Sequence, residues 1–238
     1  GPLPEWQVKE YMQQLFAAIE HLNKLYIAHR DVSLENLVLN NGTLRLMDFG
    51  AACQIEAADG TALRYFRSVG KPYYIAPEMY IPRTAEVTVA WTSGDARPGE
   101  VHFVRTTDGH LIDVKLPQDF RRGVPCPAQP WGYETQKVDA FAAGVCFYMM
   151  SFGVVPWHRA ILQDKFFFLF YKHGEAGLNK LLEETRRHHT LPALSAWAMD
   201  LMMWTLQVDP YNRPDAEICS DHEWFHLEEP GEADDPLM

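Results

Sequence analysis

Asp31, Asn36 and Asp48 are the residues of this chain whose types and spacing suit ion chemistry. Asp31 stands in a polar turn, and Asn36 follows five residues later. Two short β-like runs come next, 37–39 and 44–47, separated by Asn40-Asn41-Gly42, a hairpin signal. Asp48 ends the second run, directly before Phe49-Gly50. A hairpin brings its ends together, so the three side chains are expected to converge. Two carboxylates and an amide carbonyl are hard oxygen ligands that suit Mg²⁺, an ion that takes one or two carboxylates and shares its remaining positions with phosphates.

Such a hairpin needs a scaffold. From Glu5 to about Leu25, the residues Val8, Met12, Leu15, Phe16, Ile19 and Leu22 recur at steps of three and four, and this predicts an amphipathic helix leading into the polar turn. The stretch from about 138 to 152 is apolar nearly all round and belongs at the centre of a core. Residues 166–171 and 194–206 give further buried helical patterns. Between 79 and 136 the pattern changes to alternating runs at 86–91, 101–106 and 111–116. Asp108-Gly109 sits at a turn, so a surface β-hairpin insertion is expected. The insertion is either a partner-docking surface or an inert elaboration.

Composition excludes several classes. The chain has 238 residues, 47% of them hydrophobic, with seven tryptophans, enough for a sizeable core. No apolar run approaches a bilayer span, and no signal-like segment opens the sequence. Cys53, Cys126, Cys146 and Cys219 form no C-x-x-C pair and are expected as free thiols of a reducing, intracellular, cytoplasmic setting. The net charge of −11 argues against nucleic acid and fits either basic peptide partners or no more than a solvated surface. His188-His189 is read as surface, and the acidic end through Asp234-Asp235 as a solvated tail.

Three short motifs occur in order: His29-Arg30-Asp31 with Asn36, then Asp48-Phe49-Gly50, then Ala76-Pro77-Glu78. Together they resemble the catalytic loop, metal-binding DFG and APE of the eukaryotic protein kinase superfamily. Asp209-Pro210-Tyr211-Asn212-Arg213-Pro214 resembles that family's D-P-x-x-R-P, and His222-Glu223-Trp224-Phe225 its H-P-W-F ending. The implied fold is mainly α (α+β): a kinase large-lobe helical bundle with a small catalytic β-hairpin and the insertion. The catalytic loop would be 29–36, the activation segment 48–78, the insertion about 79–136 and the central helix about 138–152. The resemblance reaches only the C-terminal lobe. No Gly-rich loop, strand Lys or helix Glu of a small lobe precedes it, so the nucleotide site is expected to be incomplete in this fragment, which would be inactive alone. A small lobe severed, lost or supplied by another chain fits equally.

By this resemblance Asp31 accepts the substrate proton, Asp48 and Asn36 hold Mg²⁺ on ATP, and Val38 offers an apolar floor to adenine. His29, Phe49, Gly50 and Asp139 hold the DFG inward, and Arg213 pairs with Glu78. Glu35 matches the position that reads a basic residue in a substrate. Thr61 and Ser68 are candidate phosphorylation sites able to order the segment against Arg30. Two positions depart from the Ser/Thr kinase pattern: Ser33 replaces the usual Lys, and Lys71 stands where a Thr is usual. The ammonium and hydroxyl are expected to have changed places beside Asp31. Two functions remain open: a Ser/Thr protein kinase needing its small lobe, or a pseudokinase or scaffold lobe that binds protein partners.

Overall fold

The computed structural model describes residues 1–92, 94–188 and 190–227. His189 and the acidic end therefore lie outside the described residues. Helix α1 (Glu5–Lys24) buries Val8, Met12, Leu15, Phe16, Ile19 and Leu22, the six positions of the expected stripe. Strand β1 (Ile27–Ala28) follows, then the hairpin β2 (Leu37–Asn40) and β3 (Thr43–Leu46), in register from Leu37↔Leu46 to Asn40↔Thr43. Its two-residue turn has positive φ at both Asn41 (51°) and Gly42 (79°), the requirement of a type I′ turn. Strand β4 (Cys53–Gln54) pairs with β1, and β5 (Arg64–Tyr65) waits for a partner much later in the chain.

The insertion is larger than the expected hairpin. Strands β6 (Val87–Thr92), β7 (Val101–Thr106), β8 (Leu111–Lys115) and β9 (Cys126–Pro130) form a closed antiparallel barrel. The β7–β8 hairpin is present, and β6 and β9 close it by pairing with each other as well as with β7 and β8. The barrel has its own apolar core, including Val87, Val89, Val104, Ile112, Val114, Leu116 and Phe120. Side chains alternate along a strand, so the neighbours of these residues face outward. Phe103 and Leu111 accordingly pack into the main core of the lobe, and Asp113 lies on that same outer face, 5% exposed. Strand β10 (Tyr133–Glu134) leaves the barrel and pairs antiparallel with β5.

The remainder is helical: α2 (Val138–Phe152), α3 (Lys165–His173), α4 (Glu175–Arg186), α5 (Ala196–Thr205), α6 (Ala216–Ser220) and α7 (Glu223–His226). All but one residue of α2 are buried, as its all-round apolar sequence demands. Gly144 permits α5 to approach it; a Cβ there would meet Thr205 Oγ1 at 2.4 Å. Asp164, Ser195, Asp215 and His222 cap α3, α5, α6 and α7, each accepting from backbone N–H groups of the first turn. Among the described residues the fold is thus a helical body carrying the β2–β3 hairpin and a four-stranded barrel. None of these helices is long and apolar enough to cross a membrane, and all four cysteines are free.

Candidate active site

The loop between β1 and β2 is held from below by a fully buried carboxylate. Asp139, in the first turn of α2, accepts the backbone N–H of His29 at 2.6 Å and of Arg30 at 2.7 Å. Burial pushes its carboxyl up, against the pull of those two N–H groups. Arg30 has φ 61°, a left-handed backbone that a non-glycine residue keeps only where its surroundings impose it. The His29 ring packs edge-on against Phe49 at 4.9 Å, and its Nε2 lies 3.1 Å from the Met47 carbonyl. The loop of residues 29–36 is thereby fixed to both α2 and the residues flanking Asp48.

Asp31 sits at the centre. The Asn36 amide donates to its backbone carbonyl at 2.7 Å and to its Oδ2 at 3.0 Å. With its nitrogen so engaged, Asn36 offers its amide oxygen as the end available to a metal. Lys71 Nζ lies 2.8 Å from Ser33 Oγ and 3.3 and 3.4 Å from the two Asp31 oxygens. Gly70 makes this approach possible: its φ is +93°, and a Cβ would stand 2.8 Å from the Arg30 carbonyl. Asp48 is exposed, with φ 66° and ψ 77°, and its Oδ1 accepts from Gly50 N at 3.2 Å.

The oxygens of Asp48 and Asn36 are of the hard type that Mg²⁺ takes. Among the described residues no cluster of three His, Cys, Asp or Glu forms a closed cage. A cation that shares its shell with phosphates needs no such cage. Val38 is exposed on strand β2. Glu35 is exposed, and its Oε2 accepts the Tyr74 hydroxyl at 3.1 Å.

The end of the segment is tied to the helices. Arg213 and Glu78 form a buried two-pronged ion pair at 2.6 and 3.1 Å, and Arg213 also donates to the carbonyls of Gln207, Lys137 and Val208. Trp157, 1% exposed, donates to the Tyr73 carbonyl at 3.2 Å and stacks against Phe141. Thr61 and Ser68 are both exposed.

Arg30 has partners that sequence reading missed. Its Nε donates to the Ala51 carbonyl at 2.8 Å and its NH1 to the Tyr133 hydroxyl at 3.4 Å, while the guanidinium lies 4.7 Å over the Tyr65 ring. The missed Tyr133 lies 103 residues away, beyond the reach of any motif.

A family model described as a protein kinase domain matches residues 1–93, ending just past β6. Serine/threonine-protein kinase CHK1 of Saccharomyces cerevisiae is 24% identical over 220 residues, which cover 90% of this chain and 30% of that protein. The carbon catabolite-derepressing protein kinase of Candida tropicalis is 26% identical over 232 residues, 97% of this chain and 27% of its own length. The mitogen-activated protein kinase kinase kinase ANP1 of Arabidopsis thaliana is 39% identical over 83 residues, 34% of this chain and 12% of that protein. The chain spans less than a third of the length of these relatives.

Proposed function

We propose that this chain, a member of the eukaryotic protein kinase superfamily, is the large lobe of a Ser/Thr protein kinase. It would transfer the ATP γ-phosphate to a protein hydroxyl once a small lobe completes the nucleotide site. The observation that carries this reading is the arrangement around Asp31, oriented by Asn36 at 3.0 Å and faced by the Lys71 ammonium at 3.3 Å. Phosphoryl transfer asks the protein for positioning and charge stabilisation more than for covalent chemistry.

Asp31 accepts the proton of the substrate hydroxyl as that oxygen bonds the γ-phosphorus and the bond to the β–γ bridging oxygen breaks, releasing ADP. Asn36 and Asp48 would hold Mg²⁺, which when bound supplies positive charge across the phosphate oxygens. Lys71, anchored by Ser33, brings its charge to the γ-phosphate and takes the role of the Lys usual at position 33. Val38 would offer an apolar surface to the adenine, and Glu35, steadied by Tyr74, would favour a basic residue near the acceptor hydroxyl. His29, Phe49, Gly50 and Asp139 position these groups without touching substrate.

The test is transfer from labelled ATP to a basic Ser/Thr peptide mixture, using a longer form of the chain that carries the small lobe. Activity that is lost in Asp31→Asn supports the enzyme. Equal background in both proteins would overturn it and leave the scaffold reading, for which Ser33 is the sequence observation.

A further inference from the structure

Kinase activation segments are commonly ordered by phosphorylation, the new phosphate pairing with arginine. In this chain Arg30 is already occupied. Tyr65 lies under its guanidinium at 4.7 Å, and the Tyr133 hydroxyl accepts from it at 3.4 Å. Tyr65 and Tyr133 are register partners of the β5–β10 pair, with ring centroids 6.3 Å apart. The Tyr133 hydroxyl also donates to the Arg67 carbonyl at 2.7 Å, taking hold of the segment two residues beyond β5. The Nε, one NH group and one face of the Arg30 guanidinium are thus already engaged.

The neighbouring residue makes a second attachment. Arg64 donates to Asp113 Oδ2 at 2.6 Å, to the Gly132 carbonyl at 3.3 Å and to the Glu134 carboxylate. Tyr211, in the loop before Arg213, donates to the same Asp113 oxygen at 3.0 Å. Asp113 belongs to the barrel, so one carboxylate joins the barrel, the activation segment and the helical lobe. Its 5% exposure removes most of the solvent screening that makes surface ion pairs weak.

We infer that the barrel and β10 hold the activation segment in its ordered form without phosphorylation, with Arg64–Asp113 as the clamp and Tyr65 and Tyr133 filling the place beside Arg30 that a phosphate would take. Arg64, Asp113 and Tyr133 are positioning residues in this scheme. The inference rests on residues 48–78 being an activation segment, and it can fail or hold independently of whether phosphate transfer is observed.

Hydrogen exchange on this chain tests it with no need for catalysis. In the unphosphorylated protein, verified by intact mass, the Leu63 amide, bonded to the Ile55 carbonyl at 2.8 Å, and the β5 amides engaged in the ladder with β10 should be protected; exchange at the rate of an open loop would overturn the clamp. In Arg64→Met, which changes no barrel residue, exchange at Leu63 and at the β5 ladder amides should rise about tenfold or more while α1 and α2 stay unchanged. Arg64→Lys should recover part of that protection, because an ammonium can still reach Asp113. Asp113→Ala should reproduce the local increase; if it instead opens the barrel as a whole, Arg64→Met decides the matter. Unchanged exchange in Arg64→Met, or an equal rise throughout the lobe, would sink the inference.

Discussion

Lys71 Nζ lies 2.8 Å from Ser33 Oγ and 3.3 Å from Asp31 Oδ2, so a cation forty residues along the chain reaches the loop that carries Asp31. Lys71→Met in the longer, small-lobe-bearing protein should lower phosphate transfer about 10²–10³-fold, the usual cost of removing one preorganised group that stabilises transition-state charge. The double change Ser33→Lys with Lys71→Thr should restore much of the rate. Full activity in Lys71→Met would mean that the ammonium has no catalytic role.

Glu78 and Arg213 pair through two contacts in a place with almost no solvent. Breaking the pair with Glu78→Ala should cost about 3–5 kcal/mol, because a buried guanidinium is left uncompensated. Replacing both with apolar residues of similar size should cost less. It should not be free, since the carbonyls of Gln207, Lys137 and Val208 lose their donor. Urea denaturation of the two proteins measures the difference.

Asp139 serves two backbone N–H groups with two oxygens. Asn can offer only one acceptor in the same geometry, so Asp139→Asn should orphan one buried donor and cost about 1–3 kcal/mol. The same change should loosen residues 29–31, read as faster amide exchange at His29 and Arg30. An unchanged denaturation midpoint would mean that Asp139 is already protonated in the folded protein.

At Asp113 burial pushes the carboxyl up, outweighing the opposing pull of Arg64 and Tyr211. The folded protein then binds this proton more tightly than the unfolded chain does. The stability contributed is complete below the ordinary aspartate value and is lost as pH rises through the higher folded value. The unfolding free energy of the wild type minus that of Asp113→Asn should therefore fall as pH rises above about 4. A difference that grows with pH would show that the Arg64 pairing dominates burial.

The two clearest parts of the chain in sequence terms were α1 and the β2–β3 hairpin. Each is specified locally, by a six-residue apolar stripe in one case and by the Asn41-Gly42 turn in the other. The barrel was visible only as a hairpin because its closure is long-range. Strand β9 reads Cys-Pro-Ala-Gln-Pro, two prolines without alternation of β-branched residues, and β6 carries a register shift between Val89 and Trp91. Helix α4 escaped for a different reason. Its buried face is narrow, Gly177, Leu178, Leu181 and Leu182, within a run of charged residues. At the site, Asp31, Asn36, Asp48 and Lys71 lie within 41 positions of one another and were legible as motifs and departures from them. Asp113 and Tyr133 were not, because only the docking of the barrel brings them to Arg64 and Arg30.

Closure of the insertion has a consequence for how it could meet other molecules. An open sheet presents a row of unsatisfied N–H and C=O groups at its rim, to which a foreign extended peptide can add itself as one more strand. In the barrel each of β6, β7, β8 and β9 has a neighbour on both sides, so among the described residues no strand is left as a free edge. Recruitment through this part of the molecule must proceed by side chains and connecting loops, whose sequences can drift freely while the backbone ladder stays sealed against adventitious cross-pairing.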